Sequence, residues 1–105
     1  MAKYVFAYHG SGKPPSDPAE IKKVMDAWGA WFGAMGSAVI DAGNPVGKSS
    51  TVKGDGSLAD GGGANPISGY SLIEAASLED AHKKAKGCPI LQAGGSIEIA
   101  QAMDM

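Results

Sequence analysis

The sequence predicts an α+β domain in which two helices cover one face of a sheet, and three observations lead to this fold class. Apolar residues at helical spacing fill a long segment between a helix-start signal at Asp17 and a stop at Gly36. Short alternating runs, typical of strands, lie on both sides of that segment. A second, shorter helix pattern begins at Ser77. The 105 residues are predicted to form one domain over 1–105.

The first strand is predicted over residues 3–9, where two sets of side chains alternate. One set is Tyr4, Phe6 and Tyr8, and the other is Val5, Ala7 and His9. Both sets are largely apolar, which indicates a strand that is buried on both faces. The next segment, 10–16, is predicted to be a loop because it is rich in Gly and Pro. Its Gly-Ser-Gly-Lys sequence lacks the spacing of a phosphate-binding loop.

The first helix has a complete start signal. Asp17 is placed to cap it, Pro18 suits the first helical position and Glu20 stands at the capping-box position. The helix is predicted to run to about Met35 and to stop at Gly36. Its apolar stripe is predicted to pack on the sheet, with a tryptophan at its edge able to line a pocket; the stripe consists of Ile21, Val24, Met25, Trp28, Trp31, Phe32 and Met35.

The remaining elements complete a recognisable order. They are a strand over 37–42, a hairpin over 50–59, a strand over 68–75, a helix from Ser77 to Gly87, a short extended piece over 90–92 and a strand over 96–103. This is the β-α-β-β-α-β pattern of a ferredoxin-like sandwich with an inserted hairpin.

The second face of this sheet needs a cover. Two helices protect one face only, and leaving an apolar face wet would cost on the order of several kcal/mol at about 25 cal/mol per Å². A second copy of the chain provides that cover. The sequence therefore predicts a homodimer whose sheets pack face to face as a dimeric α/β barrel.

Composition excludes several classes of protein. The net charge of −2 leaves no basic stripe for phosphates, so no nucleic-acid partner is expected. No run approaches the roughly 18 apolar residues of a membrane span, and no membrane association is expected. Met1–His9 is too short and too aromatic for a signal peptide. A single cysteine rules out an intrachain disulfide and fits a cytoplasmic location.

Two residues are candidates for acid–base catalysis. His9 and Asp41 each end a predicted strand, and a histidine near a carboxylate is suited to proton transfer because it titrates near neutral pH. The alternative is that His9 hydrogen-bonds backbone at a strand end and Asp41 starts a turn.

Further residues are candidates for ligand binding, and each has a structural alternative. Trp28 and Tyr70 also suit core packing, whereas Asn44 and Asn65 precede prolines and suit turns. Ser71 offers a hydroxyl to a cavity. The histidines and the cysteine show no metal-ligand spacing, so neither a metal nor another cofactor is expected.

Several segments together resemble the YCII-related family, also called the DGPF-domain family. They are Lys3-Tyr4-Val5 with Tyr8, Trp28 to Gly36, Asp41-Ala42-Gly43-Asn44-Pro45, Asn65 to Ser71, Ser77 to Ala81, Gly87-Cys88-Pro89 and Gly95 to Ile99. The similarity spans nearly the whole chain. It implies a dimeric α+β barrel, and most members are small cytoplasmic proteins of unassigned activity. Some relatives carry an acid–base histidine on the first helix, which has no histidine here. The corner from Asp41 to Pro45 is kept, so the resemblance implies a pocket there without the same mechanism.

Two hypotheses for function follow. The first is a small-molecule-binding barrel that acts as a cofactor-free lyase or isomerase through His9 and Asp41. The second is a non-catalytic ligand-binding or regulatory module. Catalysis requires the two side chains to lie within about 3–4 Å of each other, or one water apart, in a concave pocket.

Overall fold

The computed structural model describes residues 1–10 and 16–104, and over these ranges the α+β prediction is confirmed. The elements are β1 (Ala2–His9), α1 (Pro18–Met35), β2 (Val39–Asp41), β3 (Ser50–Val52), β4 (Leu58–Asp60), β5 (Gly69–Ala75), α2 (Leu78–Ala85), α3 (Pro89–Gln92) and β6 (Ser96–Gln101). Most of the loop predicted over 10–16 lies outside the described residues. None of the described helices is long and apolar enough to cross a membrane.

The strands form an open four-stranded sheet and a separate ribbon. The sheet has the order β2-β5-β1-β6, and every neighbouring pair is antiparallel. β3 and β4 pair only with each other, as the predicted inserted hairpin requires. The four-stranded sheet does not close into a barrel within one chain.

Side-chain hydrogen bonds to backbone amides cap α1 and α2 at the N-termini that the sequence predicts. The Asp17 carboxylate accepts a hydrogen bond from the amide of Ala19, at 3.3 Å. At α2 the Ser77 hydroxyl accepts from the Asp80 amide, at 3.1 Å, while the Asp80 carboxylate accepts from the Ala76 amide, at 3.0 Å. This last bond, helped by Lys84, holds the pKa of Asp80 below its usual value.

The short segment after α2 differs from its prediction. The extended piece expected over 90–92 is a turn of helix, α3. Pro89 occupies its first position, where a proline is favoured because no amide hydrogen is needed there. Ile90 is buried as a result.

The core lies between the helices and one face of the sheet. The aromatic side chains of β1, Tyr4, Phe6 and Tyr8, are all buried on this face. Trp31 of α1 covers them, and α2 adds small buried alanines. The apolar stripe of α1 is only partly used, because Ile21, Val24 and Met25 at its start remain 39 %, 39 % and 68 % exposed. The second half of α1 packs on the sheet, and the first half stands clear of it.

The opposite face of the sheet keeps apolar side chains at the surface. Val5 alternates with the buried aromatic residues of β1 and is 38 % exposed. Its cross-strand partners are Leu72, which is half-buried, and Ala100. Ile40 of β2 is 41 % exposed. Within one chain this face is therefore only partly protected from water.

The buried thiol of Cys88 makes the free energy of unfolding decrease as the pH rises in the alkaline range. Its side chain is buried, and burial raises the pKa of the thiol from 9.0 to about 11, against a small opposing effect of the Ile90 backbone. Between these values the unfolded thiol ionises and the folded thiol does not, so rising pH favours unfolding. We expect the wild type to lose about 2–3 kcal/mol more stability between about pH 8 and 11 than Cys88→Ala. Urea unfolding of both proteins across this range measures the difference, and parallel curves would contradict it.

Candidate functional site

A cavity of about 400 Å³ lies beside the exposed half of α1. Its walls come from α1, from the loop after β2, from the start of β5 and from α3; the lining residues are Tyr8, Val24, Met25, Trp28, Phe32, Ala42, Gly43, Asn44, Pro45, Ser68, Gly69, Tyr70 and Ile90. The loop that forms one wall is the Asp41–Pro45 corner singled out by the sequence. The volume falls within the range of roughly 300–1,000 Å³ that is usual for small-molecule sites.

The helix wall of the cavity is aromatic. Val24, Trp28 and Phe32 are spaced four residues apart, so they lie on one face of α1. Trp28 meets Tyr8 edge to face with ring centroids 4.9 Å apart, and its centroid lies 5.9 Å from that of Phe32. Such packing of rings favours a fixed geometry and leaves aromatic surface facing the cavity.

Trp31, behind this wall, fixes the helix in place. Its indole nitrogen donates a hydrogen bond to the carbonyl of Lys84 at the end of α2, at 2.8 Å. Its ring also packs 5.6 Å from that of Trp28. The position of Trp28 is therefore set by Trp31, whose indole nitrogen is hydrogen-bonded and whose ring is packed.

The loop wall is joined to β5 by backbone contacts. The Asp41 carboxylate accepts from the Gly43 amide, at 2.8 Å, which forms a tight turn. Gly43 has φ +74°, and a Cβ at this position would lie 1.7 Å from the carbonyl oxygen of Tyr70. Pro45 then bridges to Gly69. The loop can approach β5 this closely only because Gly43 has no side chain.

The side chains of Asn44 and Tyr70 are joined to each other. The Asn44 amide donates to the Tyr70 hydroxyl, at 3.1 Å, and both residues line the cavity. Nearby, the Ser68 hydroxyl donates to the carbonyl of Tyr8, at 3.0 Å. The polar side chains around the cavity are thus largely engaged with the protein itself.

A buried hydrogen-bond chain runs behind the cavity. The Tyr8 hydroxyl donates to Ser71 Oγ, at 2.7 Å, and Ser71 Oγ donates to the Ala42 carbonyl, also at 2.7 Å. Burial raises the pKa of Tyr8 well above its usual range, and this effect outweighs the opposing effect of the hydrogen bond between Tyr8 and Ser71. Tyr8 is therefore a neutral phenol near neutral pH and not a general base.

The predicted acid–base pair is absent. His9 Nδ1 lies 2.9 Å from the carbonyl oxygen of Asn65 and 3.2 Å from that of Pro66, while Nε2 lies 3.2 Å from Glu98 Oε1. Asp41 instead bonds to its own turn. β5 lies between the strands that carry His9 and Asp41, which explains why residues at two strand ends do not meet.

His9 does find a carboxylate, but away from the cavity. Ser96 of β6 stands directly opposite His9, and Glu98 is its diagonal neighbour on the same face. Neither His9 nor Glu98 lines the cavity. Sequence reasoning missed Glu98 because the pairing of β6 with β1 joins residues about ninety positions apart, and no local pattern reports it.

The other candidate residues divide into three groups. Trp28, Asn44 and Tyr70 line the cavity. Ser71 lies behind it, and Asn65 meets His9 through its backbone carbonyl, outside the lining. Sequence reasoning did not select Tyr8, Phe32 or Gly43 as site residues. Phe32 did carry a sequence signal, because it lies four residues after Trp28 and therefore on the same face of α1.

The arrangement offers no cluster of metal ligands. In residues 1–10 and 16–104, no group of three or more His, Cys, Asp or Glu side chains is placed to hold an ion. Among these described residues, none of those that line the cavity is charged. Its chemistry is that of an apolar, aromatic site with a few amide and hydroxyl groups.

In comparisons with known proteins, no family model matches the chain, and no curated protein matches it.

Replacing Gly43 by Ala should disrupt the loop wall. The new Cβ would clash with the Tyr70 carbonyl, and the alanine would have to keep a left-handed backbone conformation. We therefore expect the free energy of unfolding to fall by about 3 kcal/mol or more. Gly56→Ala is the matched control, because Gly56 has φ +86° and nothing within 4 Å of its Cβ position. We expect it to cost at most about 1–2 kcal/mol. Urea unfolding compares the two, and equal losses would show that the close approach to Tyr70 is unimportant.

Proposed function

We propose that this chain binds a small molecule in the cavity beside α1, without catalysing a reaction on it. The observation that carries the proposal is the 400 Å³ cavity lined by Tyr8, Trp28 and Phe32. Aromatic and aliphatic walls with a few polar groups are typical of ligand sites. The pinned loop and the anchored helix support a cavity that exists before the ligand arrives, which lowers the entropy lost on binding.

Binding is favoured over the lyase or isomerase hypothesis because no histidine or carboxylate is found among the described residues that line the cavity. His9 and Asp41 have separate partners. The one phenol whose ring packs against the helix wall, Tyr8, is kept neutral by burial. Cys88 is buried, with the pKa of its thiol raised to about 11, and is therefore a poor nucleophile.

We further propose a YCII-related homodimer with a ferredoxin-like sandwich, located in the cytoplasm. The sheet order β2-β5-β1-β6, with antiparallel neighbours and helices after β1 and β5, supports the topology. The exposed apolar side chains of Val5 and Ile40 support a second copy packed on the open face. The single cysteine fits a reducing compartment.

A large side chain that fills the cavity should weaken the binding of a small molecule there. Prodan, an uncharged naphthalene dye whose emission depends on polarity, serves as the probe, and we expect wild-type protein to bind it with a blue-shifted emission. Val24→Trp places a large ring at the cavity wall and should weaken prodan binding at least about tenfold.

Ile21→Trp is the matched control for this test. Ile21 lies one turn earlier on α1, is as exposed as Val24 at 39 %, and does not line the cavity. Its substitution should leave prodan affinity within about twofold. Equal effects of the two substitutions, or a wild type that does not bind prodan, would refute binding at this place.

Charging the open face should separate the proposed dimer. Val5→Lys would bury an unpaired ammonium between two sheets, and we expect at least about a tenfold weaker dimer. Val52→Lys on the ribbon is the control, because Val52 is already 69 % exposed. Sedimentation velocity at micromolar concentration measures both, and a monomeric wild type would end the dimer proposal.

A further inference from the structure

The lining of the cavity also indicates the class of its ligand. Resting on the proposed function, we infer that the cavity takes an uncharged molecule built on a planar ring system and rejects ionised ligands of the same shape. The first argument is charge. None of the thirteen lining residues carries an ionisable acid or base other than the two tyrosines.

The polar groups of the described lining are uncharged, and several already bond to the protein. Ser68 donates to the Tyr8 carbonyl, Asn44 donates to the Tyr70 hydroxyl, and the Tyr8 hydroxyl donates to Ser71. A carboxylate entering the cavity would lose water without gaining a cationic partner, which is strongly unfavourable. A neutral amide or hydroxyl on the ligand needs far less compensation.

The charged side chains on the nearby part of α1 are exposed to solvent. Lys22 and Asp26, on the same helix, form an ion pair at 2.7 Å. Their side chains are 78 % and 66 % exposed, so solvent screens them. This pair has no net charge. Lys23, the next residue on α1, is exposed to solvent and does not line the cavity.

The second argument is shape. Tyr8 and Trp28 meet edge to face at an interplanar angle of 84°, and Trp28 is tilted by 37° to Phe32. Rings held at such angles offer both edges and faces, which favours a planar aromatic partner. Met25, at 68 % exposure, is a flexible apolar side chain at the rim that can adapt to it.

The test compares two nearly isosteric probes that differ in charge. 2-Naphthamide is neutral and 2-naphthoate is ionised at about pH 7.5. We expect isothermal titration calorimetry to show at least about tenfold tighter binding of the amide to the wild-type protein, because the carboxylate has no partner.

A cation added to the wall should change this preference. Val24→Lys places an ammonium beside the cavity, and we expect the amide-to-naphthoate ratio to fall at least about fivefold. Ile21→Lys adds the same charge on the same helix, at equal exposure and outside the lining, and should leave the ratio within about twofold. The comparison of two lysines separates a local partner from a general change in net charge.

The outcomes distinguish the ligand class from the binding function. If naphthoate binds wild type as tightly as naphthamide, or if both lysine variants change the ratio equally, the inference of an uncharged ligand is wrong and the binding cavity remains. If wild type binds prodan but binds neither 2-naphthamide nor 2-naphthoate, the inferred ligand class is wrong. If wild type does not bind prodan, the proposed function fails, and the inference that rests on it fails too.

Discussion

The packing of Trp31 against β1 is the constraint on which the rest of the structure depends. Its ring centroid lies 6.3 Å from those of both Phe6 and Tyr8, and its indole nitrogen is bonded to the Lys84 carbonyl. This one side chain holds α1 on the sheet and on the end of α2. The second half of α1 is held there, whereas the apolar side chains Ile21, Val24 and Met25 of the first half remain exposed. The cavity is the space between that free half-helix and the loop after β2.

The opposite wall owes its position to backbone contacts rather than to side chains. Gly43 rests on Tyr70, Pro45 bridges to Gly69, and the Val46 amide donates to the Ser68 carbonyl at 3.0 Å. These contacts extend the pairing of β2 with β5 beyond its irregular register. Because the two walls are anchored independently, the cavity does not need a ligand to form it.

Polar groups near the cavity are satisfied within the protein, and this decides what kind of site it is. The Tyr8 hydroxyl donates to Ser71 and Ser71 donates to the Ala42 carbonyl, while burial raises the pKa of Tyr8 and keeps the phenol neutral. The histidine that sequence analysis placed in the site is occupied elsewhere, with Asn65 and Glu98. The described lining that remains is largely aromatic and aliphatic, and the His9–Glu98 pair lies outside it.

The local parts of this structure follow from the sequence by itself. Asp17 and Ser77 cap helices because their side chains accept from amides two or three residues ahead, and alternation in β1 separates buried aromatics from Val5. Trp28, Asn44 and Tyr70 were also identifiable as candidates near the Asp41–Pro45 corner. Only the tertiary structure decided that His9 meets Glu98 and not Asp41, and that Phe32 and Gly43 join the site. Caps and alternation depend on neighbours a few residues away, whereas strand order and the approach of a loop to a helix depend on pairings between distant segments, which local residue patterns do not encode.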